Sequence, residues 1–312
     1  MLDSLKILLG LILLYYGGDF LVTGSVRLSR FFKLSTFVIG ATVIAFGTSA
    51  PELAVAILAA LDAAPELAMG NVIGSNIANI GLVLGLTALI APIVITPKRL
   101  KREYPPLFLA TLIILLLAWD LNIHRSEGII MLVLLALYLW RSFSQKEDFT
   151  TGQEEVGLSP HKGIIYQFVL VLAGLVGLVS GAKLLVSGGV SIARMIGISE
   201  WFIGITIVAI GTSLPEIVAS IMAARRGQGE MAVGNIFGSN IFNILMVLGI
   251  TSVIHPLNIQ EPIHPDLIIL VGITVLLLVL ILLGKYFLKK ISGIALLSTY
   301  CLYIILKGID LI

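Results

Sequence analysis

The sequence predicts an all-α membrane protein: ten transmembrane helices arranged as two inverted five-helix repeats, with helices 2 and 7 broken. Three observations carry that expectation. Of 312 residues, 58% are hydrophobic and only 12% charged, whereas soluble domains carry about a quarter charged residues. The apolar residues fall in ten stretches, and the chain matches itself at a constant offset of 164 residues.

A hydrocarbon layer about 30 Å thick requires about 20 apolar residues per helix. Span 1 (5–26) has no basic leader and no small-residue cleavage site, so it reads as part of the mature chain and not as a signal peptide. Span 2 (37–61) is interrupted by Gly47-Thr48-Ser49-Ala50-Pro51-Glu52, and span 3 (68–91) carries a second polar motif. Spans 4 (104–121) and 5 (128–143) complete a first repeat, residues 1–143. The gap that follows, 144–162, holds Lys146, Glu147, Asp148, Glu154, Glu155 and Pro160; it reads as a flexible linker too short to fold alone. Spans 6 (163–186), 7 (201–224), 8 (231–255), 9 (265–284) and 10 (291–309) make the second repeat, residues 163–312. The single cysteine, Cys301, cannot form an internal disulfide and says nothing of redox compartment.

Alternate loops carry the basic residues. Arg27, Arg30 and Lys33 follow span 1; Lys98, Arg99, Lys101 and Arg102 follow span 3; Arg141, Lys146 and Lys162 follow span 5. Arg225 and Arg226 follow span 7, and Lys285, Lys289 and Lys290 follow span 9. Fifteen of the 20 basic residues thus share one side, which the positive-inside rule assigns to the cytoplasm. The linker is then cytoplasmic and both termini are outside. The expected location is the cell membrane, as a multi-pass protein with the lipid bilayer as its medium.

Residues 37–57 match 201–221 at 10 of 21 positions, and 69–90 match 233–254 at 13 of 22. The matches fall on Gly, Asn, Ser, Thr, Pro and Glu, so shared hydrophobicity does not explain them. Equivalent positions are five helices apart, an odd number, so the halves must have opposite orientations in the membrane. Inverted repeats of this kind place a transport site at the midplane between halves.

The interruption in span 2 recurs in span 7 as Gly211-Thr212-Ser213-Leu214-Pro215-Glu216. Proline removes a backbone donor and clashes with the preceding turn, freeing carbonyls near Gly47 and Gly211 that lipid cannot satisfy. A charged side chain at the bilayer centre costs about 2.5–3.5 kcal/mol on insertion scales. Glu52 and Glu216 would repel each other unless a cation or protons lay between them, and no Lys or Arg lies at matching depth in spans 2, 3, 7 or 8. Span 3 contributes Gly70-Asn71-Val72-Ile73-Gly74-Ser75-Asn76-Ile77-Ala78-Asn79, and span 8 contributes Gly234-Asn235-Ile236-Phe237-Gly238-Ser239-Asn240-Ile241-Phe242-Asn243. Helical period puts Ser75 with Asn79, and Ser239 with Asn243, on one face. Asn76 and Asn240 point about 100° away, a direction suited to packing. The glycines suit close helix contact. Carboxylates, hydroxyls, amide oxygens and carbonyls, with no histidine at depth, make an oxygen-only donor set that suits Ca²⁺ or Na⁺ and disfavours transition metals.

The residues G-T-S-x-P-E and G-N-x-x-G-S-N-x-x-N, once per half, resemble the α-repeats of the sodium/calcium exchanger family, within the cation/calcium exchanger superfamily. The resemblance covers nearly the whole chain. It implies four midplane cation sites within a diamond of spans 2, 3, 7 and 8, three able to take Na⁺ and the central one Ca²⁺, with binding mutually exclusive. Glu52 and Glu216 would be the shared carboxylates, and Thr48 and Thr212 would lend carbonyls to Ca²⁺. Ala45, Ser49 and Ser75 would serve one flanking Na⁺ site with Glu52. Ala209, Thr212, Ser213 and Ser239 would serve the other with Glu216, and Asn79 and Asn243 would line the middle. Spans 1 and 6 would slide past the rest. Some family members carry aspartate where this chain has Asn243. Asparagine in both halves implies potassium-independent, electrogenic exchange. The large calcium-sensing loop of animal members is absent, as in a prokaryotic-type member.

The expected function is therefore antiport of Na⁺ and Ca²⁺ at 3:1, with the ions as cargo and no cofactor, nucleic acid or obligate protein partner. The alternative is Ca²⁺/H⁺ exchange, in which the same two glutamates are protonated on the return stroke. A gated cation channel could share the symmetry. The chain is not expected to be an enzyme, because it has no Ser/His or Cys/His pair at depth and no phosphate loop.

Overall fold

The computed structural model describes residues 2–144, 163–197 and 209–308. Nearly all of the expected linker, the opening of span 7 (201–208) and the end of the chain lie outside the described residues. Twelve helical segments are described: α1 Leu2–Phe32, α2 Thr36–Thr48, α3 Ala50–Leu61, α4 Pro65–Ile90, α5 Pro97–Leu117, α6 Arg125–Phe143, α7 Ile164–Met195, α8 Ala209–Thr212, α9 Leu214–Arg225, α10 Gly229–Ile254, α11 His264–Leu283 and α12 Lys290–Gly308. Seven are long and apolar enough to cross a membrane, or eight if the bent pair α2–α3 is one span. The two further expected spans are α5, whose first turns carry Lys98, Arg99, Lys101, Arg102 and Glu103, and the one that begins at Trp201.

Two helices outrun their apolar stretches. α1 has 31 residues and α7 has 32, about 46–48 Å at 1.5 Å per residue. Arg27 and Arg30, expected in a loop after span 1, lie instead on the last turns of α1. Lys98, Arg99, Lys101 and Arg102 likewise lie on α5 and not before it. Basic side chains are good helix formers, so the helix continues where the apolar run stops. At α5 the start is also fixed chemically. Pro97 occupies the first turn and the Thr96 hydroxyl caps the Arg99 N–H at 3.2 Å.

α1 and α7 lie antiparallel, with Gly17 against Gly174 and Leu178, and Gly10 against Gly181. Small residues at these crossings let the two backbones touch. α4 and α10 form the centre: 72% and 89% of their most apolar stretches are buried, against 28–39% for the other five candidate spans. Outside them, Leu116, Trp140, Ile165, Leu283 and Ile291 are 72–79% exposed, as expected of side chains that face lipid.

Two short antiparallel ribbons join the early and late parts of the chain. β1 (Ile93–Val94) pairs with β4 (Phe287–Leu288), with Ile93 opposite Leu288. β2 (Asn122–Ile123) pairs with β3 (Leu257–Asn258), with Ile123 opposite Leu257. Neither pairing is visible in the sequence, because two-residue strands carry no periodicity.

Candidate functional site

The two interrupted segments break at the predicted places. α2 ends at Thr48 and α3 begins at Ala50, with a bend of 42° between them. The residue between, Ser49, sits at φ −83°, ψ 0°. Its counterpart Ser213, between α8 and α9, sits at φ −86°, ψ 1°. Pro51 and Pro215 occupy the first turns that follow, where a missing N–H is tolerated. A proline there leaves the carbonyl four residues earlier, on Gly47 or Gly211, without its helical donor. Glu52 and Glu216 are in the same first turns, 1% and 0% exposed. Neither faces lipid, and the two carboxylates lie within electrostatic reach of one another.

Hydrogen bonding around them is incomplete in a patterned way. Buried oxygens of Glu52 and Glu216, the Ser49 hydroxyl, and both amide atoms of Asn79 and of Asn243 have no well-formed hydrogen bond among the described residues. Buried polar atoms are almost always paired, so such a cluster marks a place built for something other than protein. The donor set is carboxylate, amide and hydroxyl oxygen, which fits a hard cation. Among the described residues no group of three or more His, Cys, Asp or Glu is placed to hold a metal. Any ion here would therefore be held by two carboxylates and neutral oxygens.

Among the described residues three turns of π-helix shape this region: Gly40–Ile44 in α2, Asn79–Leu84 in α4 and Asn243–Leu248 in α10. Asn79 and Asn243 each open one of them, directly after an ordinary α-helical turn. Single π turns recur at functional sites. The α-periodicity that placed Ser75 with Asn79 therefore holds up to Asn79 and fails after it. Asn76 and Asn240, expected to pack, each donate to the carbonyl one turn back, on Val72 and Ile236, at 2.7 Å.

The polar residues meet across the halves. Thr48 Oγ1 lies 3.4 Å from both Asn235 Oδ1 and Ser239 Oγ. Asn235 in turn donates to the Ser220 hydroxyl at 3.0 Å. Sequence reading missed Ser220; its signal was the spacing of four from Glu216, one turn along the same helix face. On the other side Ser75, Asn71, Thr212 and Ser213 line one cavity of about 340 Å³, with Tyr303 and Lys307 at its far end. Asn71 donates to the Glu52 carbonyl at 3.1 Å. Ala45 is fully buried, and its carbonyl already accepts from the Ser49 N–H at 2.9 Å. Ala209 opens α8. A second cavity, about 800 Å³, reaches Gly211, Thr212, Pro215 and Pro51 from between α3 and α7.

The second copy of the glycine motif is closely packed. A Cβ at Gly234 or Gly238 would collide with the backbone of α2, at Phe37 and Ala41. At Gly70 and Gly74 a Cβ would meet nothing within 4 Å among the described residues, which leave out 201–208, the counterpart of that α2 stretch under the 164-residue repeat. Arg99 reinforces the packed side, its guanidinium 5.2 Å above the Phe37 ring and paired with Glu230 at 3.3 Å.

The family model described as "Sodium/calcium exchanger protein" matches residues 4–144 and 166–308. A putative antiporter, CaxA, of Alkalimonas amylolytica is 40% identical over 81% of each chain. The sodium/calcium exchanger MaX1 of Methanosarcina acetivorans is 31% identical over 97% of each. The solved structure of the sodium-calcium exchanger NCX_Mj, soaked without Na⁺ and Ca²⁺, superposes with a TM-score of 0.86 at 37% identity, covering 97% of this chain and 98% of that one.

Proposed function

The chain belongs to the sodium/calcium exchanger family as a member of the prokaryotic type, and from that premise we propose that it is a secondary active antiporter exchanging Na⁺ for Ca²⁺ across the membrane by alternating access. One observation carries the reading. Glutamates 164 residues apart are both buried and act on one another, with buried oxygens that lack well-formed hydrogen bonds among the described residues. Two carboxylates balance one Ca²⁺; three Na⁺ in their place leave one excess positive charge. Exchange at 3:1 then moves charge and responds to membrane potential.

In this reading Glu52 and Glu216 are the shared ligands, with Thr48 and Thr212 lending carbonyls to Ca²⁺. The flanking Na⁺ ligands are Ala45, Ser49 and Ser75 on one side and Ala209, Thr212, Ser213 and Ser239 on the other, with Asn79 and Asn243 between. The chain has ten membrane helices as two inverted repeats, 1–143 and 163–312, joined by a cytoplasmic linker, with both termini outside. The strand pairs support that arrangement. β1 corresponds to β3 at the 164-residue offset and β2 to β4 at 165, one residue having been added between, so one ribbon maps onto the other. The two cavities support an outward-facing state, because their linings include Arg194 near the outer end of α7 and Lys307 near the outer end of α12.

Calcium uptake into proteoliposomes under an outward Na⁺ gradient, with pH clamped on both sides, tests the coupling. Uptake that follows the Na⁺ gradient and leaves net charge behind is the expected result. Uptake driven only by a pH gradient would replace Na⁺ with H⁺ as the coupling ion, and unitary currents in a planar bilayer would replace the antiporter with a channel. Asn243→Asp adds a third carboxylate to the middle of the site. It is expected to change Na⁺ against Ca²⁺ competition several-fold or to introduce a pH dependence, both read from initial uptake rates. Unchanged transport would remove Asn243 from the site.

A further inference from the structure

Four charged residues that the cation site does not use fall into two pairs related by the repeat. Asp19 on α1 corresponds to Lys183 on α7, and Arg226 at the end of α9 corresponds to Asp62 at the end of α3. The register is secure: residues 8–30 match 172–194 at ten of 23 positions without a gap. Both members of the pair have reversed sign, so the attraction is kept.

One pair is closed and the other open. Arg226 donates to the Asp19 carboxylate, and also to the Thr23 hydroxyl and the Asp19 carbonyl. Beside it, Gly18 sits against Val218 and Met222 of α9. At the equivalent place on α7, Ala182 and Lys183 line the 800 Å³ cavity that separates α7 from α3. Among the described residues neither Lys183 nor Asp62 has an ion-pair partner. A lone lysine this far along a membrane helix is costly and calls for a partner.

Resting on the alternating-access reading, we propose that Lys183 and Asp62 pair when the α3–α7 cavity closes and that the Asp19–Arg226 pair then opens. The two charge-reversed pairs are positioning residues that hold α1 and α7 in opposite registers. Arginine with aspartate and lysine with aspartate each combine one long side chain and one short one. A helix approach that seats the first pair therefore seats the second.

The test uses the full chain carrying Cys301→Ser, with cysteine pairs at 19 and 226 or at 62 and 183, treated in membranes with a short bis-maleimide. Both pairs are expected to crosslink, and closing 19–226 first is expected to prevent 62–183. A 62–183 pair that never crosslinks while 19–226 does, or both closing in one molecule, overturns the proposal. Lys183→Asp is expected to shift the balance toward the 19–226 crosslink by about fivefold, the scale of one exposed ion pair. Adding Asp62→Lys should restore it; failure to restore counts against pairing, because a merely structural defect is not rescued by swapping charges. Crosslinking reads geometry and not flux. If each pair crosslinks but never both in one molecule, while the uncrosslinked chain carries no calcium, the transport reading is refuted and this one stands.

Discussion

Replacing Glu216 or Glu52 by glutamine is expected to lower calcium uptake by about two to three orders of magnitude while leaving thermal stability unchanged or raised. A carboxylate about 4 Å from a unit charge is worth about 4 kcal/mol at an effective dielectric of 20, with each 1.4 kcal/mol tenfold in affinity. A divalent ion feels that loss more strongly. The substitution is nearly isosteric, and neither Glu216 oxygen meets strict hydrogen-bond geometry with a described residue, the Thr48 side chain being close enough to act on it and able to donate to an amide oxygen as well. Removing one of two neighbouring acidic groups from a buried site also relieves their repulsion. Flux in proteoliposomes and melting in detergent should therefore separate cleanly. A variant that unfolds would make the glutamate structural, and one that transports calcium normally would dismantle the site.

Gly238→Ala should lower stability without touching the cation ligands. At Gly238 the added methyl meets the Ala41 backbone, which cannot move without shifting α2. Overpacking of this kind costs about 1–3 kcal/mol, occasionally more. The purified variant should melt several degrees below the unsubstituted protein. Unchanged melting would mean that α2 and α10 are not packed this closely in solution.

Sequence reading stops short of the packing: Gly-Asn-x-x-Gly-Ser-Asn recurs in both halves and marks the site, but does not say that Gly234 and Gly238 are pressed against the backbone of α2. The breaks at Ser49 and Ser213 were legible because proline and glycine act locally on the backbone. The enclosure of Glu52 and Glu216 was legible because a charge in an apolar run needs a partner. The π turns at Asn79 and Asn243 were not, since ordinary helical period gives no sign of one extra residue per turn. Nor were the full lengths of α1 and α7, whose last turns are polar and lie beyond the apolar signal. Contacts across the halves were not legible either: Thr48 meets Ser239 and Asn235, and Ser75 shares a cavity with Thr212 and Ser213.

The ribbons β1–β4 and β2–β3 stitch residues before 144 to residues after 163 at two separate places. Continuity of the polypeptide is thus one of several fastenings. Fragments 1–150 and 151–312, made as two separate molecules in one cell, should find each other and reassemble, because what they recognise is carried in their own folded edges and in the α1–α7 contact.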